Sequence, residues 1–310
     1  MNKCIFGIDI GGTQIKVGKF VDDELVLKFA IDTDISNNGA NILSDISKII
    51  KDNLKDSELL GIGIGVPGPV RKGVVLGAQN IGWEIIDIKS ILEKEFPDVV
   101  IEIMNDANAA VLGEYYCGSA SGYPNVVMLT LGTGVGGGII INEKVYEGAN
   151  GSSGELGHLQ MEKGGRPCTC GLHGCLEQYV SATGVLKTAY IFREGKETLL
   201  NKVDLTCKDV FDFAKNGDKV AMEVVEDMTE KLAIGCADIC NTLNPDLLLI
   251  GGGVSKAGDF MLDKVKAKFV DYSFYSIRNT EFKIASLGND AGIYGDYFAV
   301  KRKINENNNL

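Results

Sequence analysis

The sequence predicts an α/β protein made of two copies of one βββαβα lobe facing each other across a central cleft. The order of apolar strands, glycine turn and amphipathic helices in residues 1–117 recurs in residues 118–289, the mark of an internal repeat. In both halves a glycine-bearing turn joins the first two strands: Gly11-Gly12-Thr13 in the first and Gly132-Thr-Gly-Val-Gly-Gly-Gly138 in the second. A cysteine-rich insertion at about 150–180 interrupts the second copy, and a helix at about 290–305 is expected to return and complete the first. A chain of 310 residues is long enough to bury the cores of both lobes.

In chain order, residues 3–8 are a short apolar run ending at Asp9; the glycine turn follows, and Ile15, Val17 and Phe20 make the second strand. Glycine suits the turn because it adopts positive φ without steric cost. Asp22-Asp23 reads as the next turn and residues 25–29 as a third strand. A dinucleotide-binding fold needs its glycines to open a helix, whereas these open a strand, so that fold is set aside. Ile42, Ile46, Ile49, Ile50 and Leu54 lie on one helical stripe, residues 59–66 form a strand closed by Pro67-Gly-Pro69, and Asp87 caps a second helix through Phe96. Residues 99–104 are the fifth strand, and Asn105-Asp106 stand where it meets a helix carrying Ala109, Ala110, Val111 and Leu112. The second half repeats this with strands at 126–131, 139–141 and 145–146, helical stretches at 180–195 and 208–240, and a strand at 247–250. The turn Gly251-Gly252-Gly253, a helix at 259–269, a strand at 282–285 and a last helix after Asp290 complete it. Asn305 to Leu310 reads as a disordered polar tail.

Composition narrows the function. A formal net charge of −11 with no Lys/Arg cluster argues against nucleic acid as a partner. The first apolar run is too short for a signal peptide, so a cytoplasmic protein is expected. In that setting the eight cysteines read as thiols and metal ligands, with Cys4, Cys117, Cys207, Cys236 and Cys240 expected as small buried hydrophobes. Residues 115–142 carry no charge, but Pro124 and seven glycines among them exclude a membrane span.

The insertion gathers the rare chemistry. Three cysteines fall within the eight residues Cys168-Thr-Cys170-Gly-Leu-His173-Gly-Cys175, and both histidines of the chain lie close by. Four soft ligands suit a tetrahedral, structural Zn²⁺, and His158, Cys168, Cys170 and Cys175 are the expected set. His173 competes for the fourth place from a tight turn where reaching back to the metal would be strained. Unrelated thiols in a glycine-rich loop are the plainer alternative, which the clustering disfavours. Glu155, three residues before His158, and Glu177, two after Cys175, would be drawn together by such a loop and would suit a ligand bearing several hydroxyls.

Glycine turns can aim backbone N–H groups at an anion, and two such turns facing one cleft suggest a polyphosphate. Asp9 is placed to hold the Mg²⁺ that phosphates bring, usually through water, with Thr13 and Lys16 as added donors. Gly251-Gly252-Gly253 would let a nucleobase or ribose lie against the backbone. Phosphoryl transfer needs one carboxylate oriented toward the acceptor hydroxyl, and Asp106 is the candidate base. The competing role is helix N-cap; Asn105 can supply the cap, and position alone leaves the two roles even.

The motifs Asp9-Ile-Gly-Gly-Thr13 with Lys16, Gly65-Val-Pro-Gly68, Asn105-Asp106, Leu131-Gly-Thr-Gly-Val-Gly-Gly-Gly138, Glu155-Leu-Gly-His158, Cys168 through Glu177 and Ile250-Gly-Gly-Gly253 resemble the ROK family of sugar kinases and repressors. The likeness is strongest to its bacterial ATP-dependent glucokinases and spans nearly the whole chain. It implies an actin-like (ribonuclease H-like) fold and transfer of the γ-phosphoryl group of Mg-ATP to the 6-hydroxyl of glucose. It implies zinc at His158, Cys168, Cys170 and Cys175, and a hexose held by Asn105, Asp106, Glu155, His158 and Glu177, with Asp106 as catalytic base. The phosphate-binding set is Asp9, Gly11, Gly12, Thr13, Lys16, Gly132, Thr133, Gly134, Gly136, Gly252 and Gly253. Trp83, the only tryptophan, follows a sugar-side pattern at Asn80, though a core or interface anchor is favoured. Repressors of the family carry a helix-turn-helix before the first strand, and with that strand at residue 3 none is expected here. Another hexose, such as N-acetylmannosamine, N-acetylglucosamine, mannose or fructose, or a silent sugar-binding role are the alternatives. Asp106 argues against the last. A homodimer or dimer of dimers is the expected assembly.

Overall fold

The computed structural model describes residues 2–55 and 57–308. Its first sheet has the order β3-β2-β1-β4-β8, from strands Asn2–Ile10 (β1), Gln14–Val21 (β2), Glu24–Asp32 (β3), Ser57–Val66 (β4) and Val100–Asn105 (β8). Between β4 and β8 lies a small sheet of Val70–Arg71 (β5), Val74–Val75 (β6) and Ile86–Asp87 (β7). The second large sheet has the order β11-β10-β9-β12-β13, from Val126–Leu131 (β9), Val135–Ile141 (β10), Lys144–Val145 (β11), Leu247–Gly251 (β12) and Glu281–Ile284 (β13). The two sheets share one plan. In each, the first three strands pair antiparallel and the last two join parallel to the first, so the predicted duplication is present strand for strand.

A single turn, Ser36–Gly39 (α1), leads into Ile42–Leu54 (α2), which buries Ile42, Ile46 and Ile50 one turn apart against the first sheet. Ile88–Glu95 (α3) is capped as expected, Asp87 Oδ1 accepting from Ser90 N at 3.0 Å. Asp106–Cys117 (α4) follows β8 directly. The second half adds Glu177–Val180 (α5), Ala182–Phe192 (α6), Cys207–Lys215 (α7), Lys219–Leu243 (α8) and Asp259–Tyr272 (α9). The helical stretch expected at 208–240 is thus two helices, broken at Gly217, whose φ of +91° no helix accepts. The larger core joins the second sheet to α5–α9, with α8 buried along its length.

The last helix, Ala291–Asn308 (α10), returns to the first sheet and packs on β1, β4 and α4. Asn305 to Asn308, expected as a disordered tail, continue this helix, while Asn309 and Leu310 lie outside the described residues. Strand glycines explain how close α10 comes. A Cβ at Gly63 would run into the Asp296 carbonyl, one at Gly7 into that of Ile293, and one at Gly61 into the Val300 side chain. Two further expectations are corrected. Gly136, Gly137 and Gly138 belong to β10 rather than to the turn, because Ala107, Val111 and the 154–156 loop press on that strand where side chains would stand. Cys117 is exposed and Cys207 half-buried, whereas Cys4, Cys236 and Cys240 are buried as expected.

Candidate active site

β1 ends beside Asp9, and its register partner on β2 is Lys16, whose Nζ lies 2.8 Å from Asp9 Oδ2. At the end of β8, two strands from β1, Asn105 caps α4: its Oδ1 accepts from Ala107 N at 2.9 Å and Asn108 N at 3.2 Å, while its Nδ2 donates to Gly68 O at 3.2 Å. With the cap supplied by Asn105, Asp106 Oδ1 takes one local bond from Ala107 N at 2.8 Å, and the side chain borders the cleft.

The second half supplies the opposite wall. Gly132 and Gly134 form the tight end of the β9–β10 hairpin, with Gly132 N donating to Gly134 O at 2.9 Å. Glu177, the first residue of α5, sits behind this turn; its Oε2 accepts from Val135 N at 3.0 Å and fills the space a Cβ on Gly134 would need. Glu155 and His158 lie on and beside a short 3₁₀ turn, Leu156–His158, with His158 Nε2 at 3.8 Å from Glu155 Oε2.

His158, Cys168, Cys170 and Cys175 bring one ligand atom each within 4.8 Å of one another. Cys168 Sγ is 3.7 Å from His158 Nδ1 and Cys170 Sγ is 3.7 Å from Cys175 Sγ. Metal–sulfur bonds of about 2.3 Å in a tetrahedron give edges of roughly 3.8 Å, so this donor set fits Zn²⁺ in size and in softness. The thiols alone are in conflict. Burial and the neighbouring thiols push Cys175 up to about 12, whereas hydrogen bonds from Cys170 and Cys175 outweigh burial and hold Cys168 down at about 7. A divalent cation that takes all three as thiolates resolves that conflict. His173 is exposed and outside the group.

Between the walls lies a cavity of about 600 Å³. It brings together Asp9, Lys16, Asn105, Asp106, Glu155, His158 and Glu177 with Gly132, Gly134, Gly136 and Gly252. Gly11, Gly12, Thr13, Thr133 and Gly253 are outside its wall; Gly12, Thr13, Thr133 and Gly253 are exposed. Trp83 is buried and its indole N–H donates to Gly39 O at 3.1 Å, the anchoring role the sequence favours. The wall also holds Gln79, Thr130, Ser153 and Asn289, single polar residues in 3₁₀ turns, a strand and a loop that no spacing rule singles out.

Electrostatics single out Asp106. Burial first, then the like charges of Asp9 and Glu155, push its carboxyl up to about 7. Behind the wall stands a residue the sequence reading missed, Asp296 of α10, which is fully buried and whose carboxyl oxygens find no partner of good hydrogen-bond geometry among the described residues. Burial, reinforced by Asp9, drives it well above the usual carboxylate range.

Two sheets of one strand order closing on a single polar cleft define an actin-like fold. The ROK family model matches residues 5–303, and the chain belongs to the ROK family. It is 42% identical to a glucokinase of Halalkalibacterium halodurans, over 96% of this chain and 95% of that one. A solved ROK family glucokinase from Streptomyces griseus, in complex with glucose and AMPPNP, is similar at a TM-score of 0.81 and 30% identity, over 96% of this chain and 99% of that one. A ROK hexokinase from Thermus thermophilus is similar at a TM-score of 0.84 and 29% identity, over 98% and 99% of the two chains.

The raised Asp106 carboxyl has a measurable consequence. The folded chain holds its proton more tightly than the unfolded chain, so the stability this contributes is lost as pH climbs from the ordinary carboxylate range through about 7. Asp106→Asn removes that loss. Urea unfolding at pH 5 and pH 8.5 should show the variant gaining on the parent by roughly 1–3 kcal/mol across the interval; an unchanged difference would contradict the shift.

Proposed function

We propose that this chain is an ATP-dependent glucokinase that transfers the γ-phosphoryl group of Mg-ATP to the 6-hydroxyl of glucose. The observation that carries the reading is Asp106: a carboxyl with its pKa near neutrality, left free of the capping role, in a cavity whose facing wall carries both the glycine turns at Gly132, Gly134 and Gly252 and the group Glu155, His158 and Glu177. The relatedness to glucokinases at 42% and 30% identity supports the same reaction.

In this reading the sugar hydroxyls are held by Asn105, Asp106, Glu155, His158 and Glu177, all on the cavity wall. Asp106 takes the proton of the 6-hydroxyl on a carboxylate oxygen. The sugar oxygen bonds to the γ-phosphorus, the bond from that phosphorus to the β,γ-bridging oxygen breaks, and ADP and glucose 6-phosphate result. Backbone N–H groups at Gly134 and Gly252, with Lys16, stand as donors to the phosphates, the bond from Gly132 N to Gly134 O holding the turn, while Asp9 orders the water around the Mg²⁺ that enters with ATP. Zinc held by His158, Cys168, Cys170 and Cys175 supplies no step; it would fix the loop. One imidazole then serves both ends, Nδ1 toward the metal and Nε2 toward Glu155 and the cavity. The eight cysteines, all free thiols, suit a reducing compartment and support a cytoplasmic setting.

A coupled assay with Mg-ATP against glucose, mannose, fructose, N-acetylglucosamine and N-acetylmannosamine tests the substrate. Glucose should have the highest kcat/KM, and Asp106→Asn should keep glucose binding while turnover falls by about 10²–10⁴-fold. A leading N-acetyl sugar would overturn glucose alone, and near-normal turnover of the variant would remove Asp106 as base. Cys170→Ala should lose the metal and weaken glucose binding; full zinc content by atomic emission would remove Cys170 from the ligand set.

A further inference from the structure

The chain crosses between the two lobes twice, once from α4 to β9 through residues 118–125 and once from β13 to α10 through residues 285–290. Both crossings meet at one side chain, Glu114 in the third turn of α4. It is fully buried, and among the described residues no Lys, Arg or His pairs with it. Its carboxylate is satisfied instead by the two crossings. Oε2 accepts from the backbone N–H of Ser119 at 2.8 Å and from the Ser286 hydroxyl at 3.2 Å, and Oε1 accepts from Leu287 N–H at 2.7 Å. The Glu114 carbonyl adds bonds from Gly118 N at 3.0 Å and Ala120 N at 3.1 Å. The carboxyl also occupies the space that a Cβ on Gly118 would need, so a glycine is required there.

Three charge-assisted bonds in a dry site are strong and directional, and a buried carboxylate with no cation depends on them all. What they position is part of the cavity. The segment after β13 runs beside the glycine turn of β12, with Ala285 N donating to Ile250 O at 2.9 Å, and Ala285, Gly288 and Asn289 line the cavity next to Gly252. We infer that Glu114 is a positioning residue, the pin shared by both interlobe crossings, which sets where the 285–289 wall stands against the nucleotide as the lobes move. Hinges of two-lobed enzymes are a few residues at element ends that absorb the change in backbone angles, and residues 118–121 and 286–288 are such ends. Its effect on turnover rests on the kinase reading; its effect on the crossings does not.

The test is Glu114→Gln, which keeps the size but turns one acceptor into a donor facing N–H or O–H groups. Backbone amides of Ser119 and Leu287 should lose at least about tenfold in hydrogen-exchange protection while those in α8 and β9 keep theirs. KM for Mg-ATP should rise at least fivefold with KM for glucose within twofold, and Glu114→Asp, which keeps the charge, should restore part of the loss. Unchanged exchange at both crossings, or equal increases in the two KM values, would overturn the inference. If the Gln variant does not fold, Ser286→Ala removes a single donor, and it should loosen the 286–288 amides and raise KM for Mg-ATP about twofold; no change in either would overturn the inference. A wild-type chain that phosphorylates no hexose would sink the kinase reading and leave the exchange result to judge the hinge.

Discussion

The arrangement of the site depends on one close approach, that of α10 to β1, β4 and α4. Glycines make it possible: Gly7, Gly61 and Gly63 on the strands, and Gly113 and Gly295 between the helices, where Cβ atoms would run into the carbonyls of Ala291 and Ala109. Packing backbone against backbone locks α4 to the first sheet, because interiors at this density leave no slack for a sliding helix. Asp106 at the start of α4 and Asp9 at the end of β1 therefore occupy fixed places. The same approach traps Asp296 beneath them, and burial first, then the like charges of Asp9 and Glu155, raise Asp106 into the range where a carboxylate is an effective proton acceptor at neutral pH. A buried carboxyl held near neutrality beside a second acid is what a phosphoryl-transfer site would require and what a sugar-binding protein without chemistry would not.

The opposite wall is held differently. The loop bearing His158 and the three cysteines is pinned at its base by Arg166, whose Nη1 donates to Gln178 O at 2.8 Å and Gly184 O at 3.2 Å and whose Nη2 donates to Thr188 Oγ1 at 2.9 Å. The guanidinium also stacks at 4.7 Å on Tyr179, and Tyr179 Oη donates to Glu162 Oε2 at 2.8 Å. The base of the loop is thus set by protein contacts, and the Cys/His group lies at its tip, beside Glu177 and the cavity. A metal there would order the few residues that face the cavity rather than hold the lobe together, in keeping with the rule that small errors in positioning cost rate steeply.

Much of this was legible before any coordinates. The duplicated strand order, the two hairpin turns, the Asn105 cap and the Cys/His grouping all leave local patterns of period, spacing or residue type, and each stands where the pattern put it. What was not legible is what no local pattern records. Strands β5, β6 and β7, of two residues each, are too short to show an alternation. Gly136 to Gly138 look like more of the same turn until the helix and loop pressing on β10 are seen. Glu114 and Asp296 resemble the solvent-facing acids of ordinary helices, and only tertiary packing buries them, Glu114 between the 118–120 and 286–287 segments and Asp296 against β4. The helix at 305–308 defeats a compositional reading because its support comes from the turns before it.

The central claim is that burial, with Asp9 and Glu155 as like charges beside it, makes Asp106 the proton acceptor. The most direct measurement is kcat/KM for glucose from pH 5.5 to 9 at saturating Mg-ATP, which reports the ionisation of the essential base in the Mg-ATP-bound enzyme before glucose binds. The account predicts an acid limb that falls tenfold per pH unit below an apparent pKa near 7, set by burial and by Asp9 and Glu155. A profile that stays flat down to pH 5.5 would show an ordinary carboxylate at that position and would contradict it.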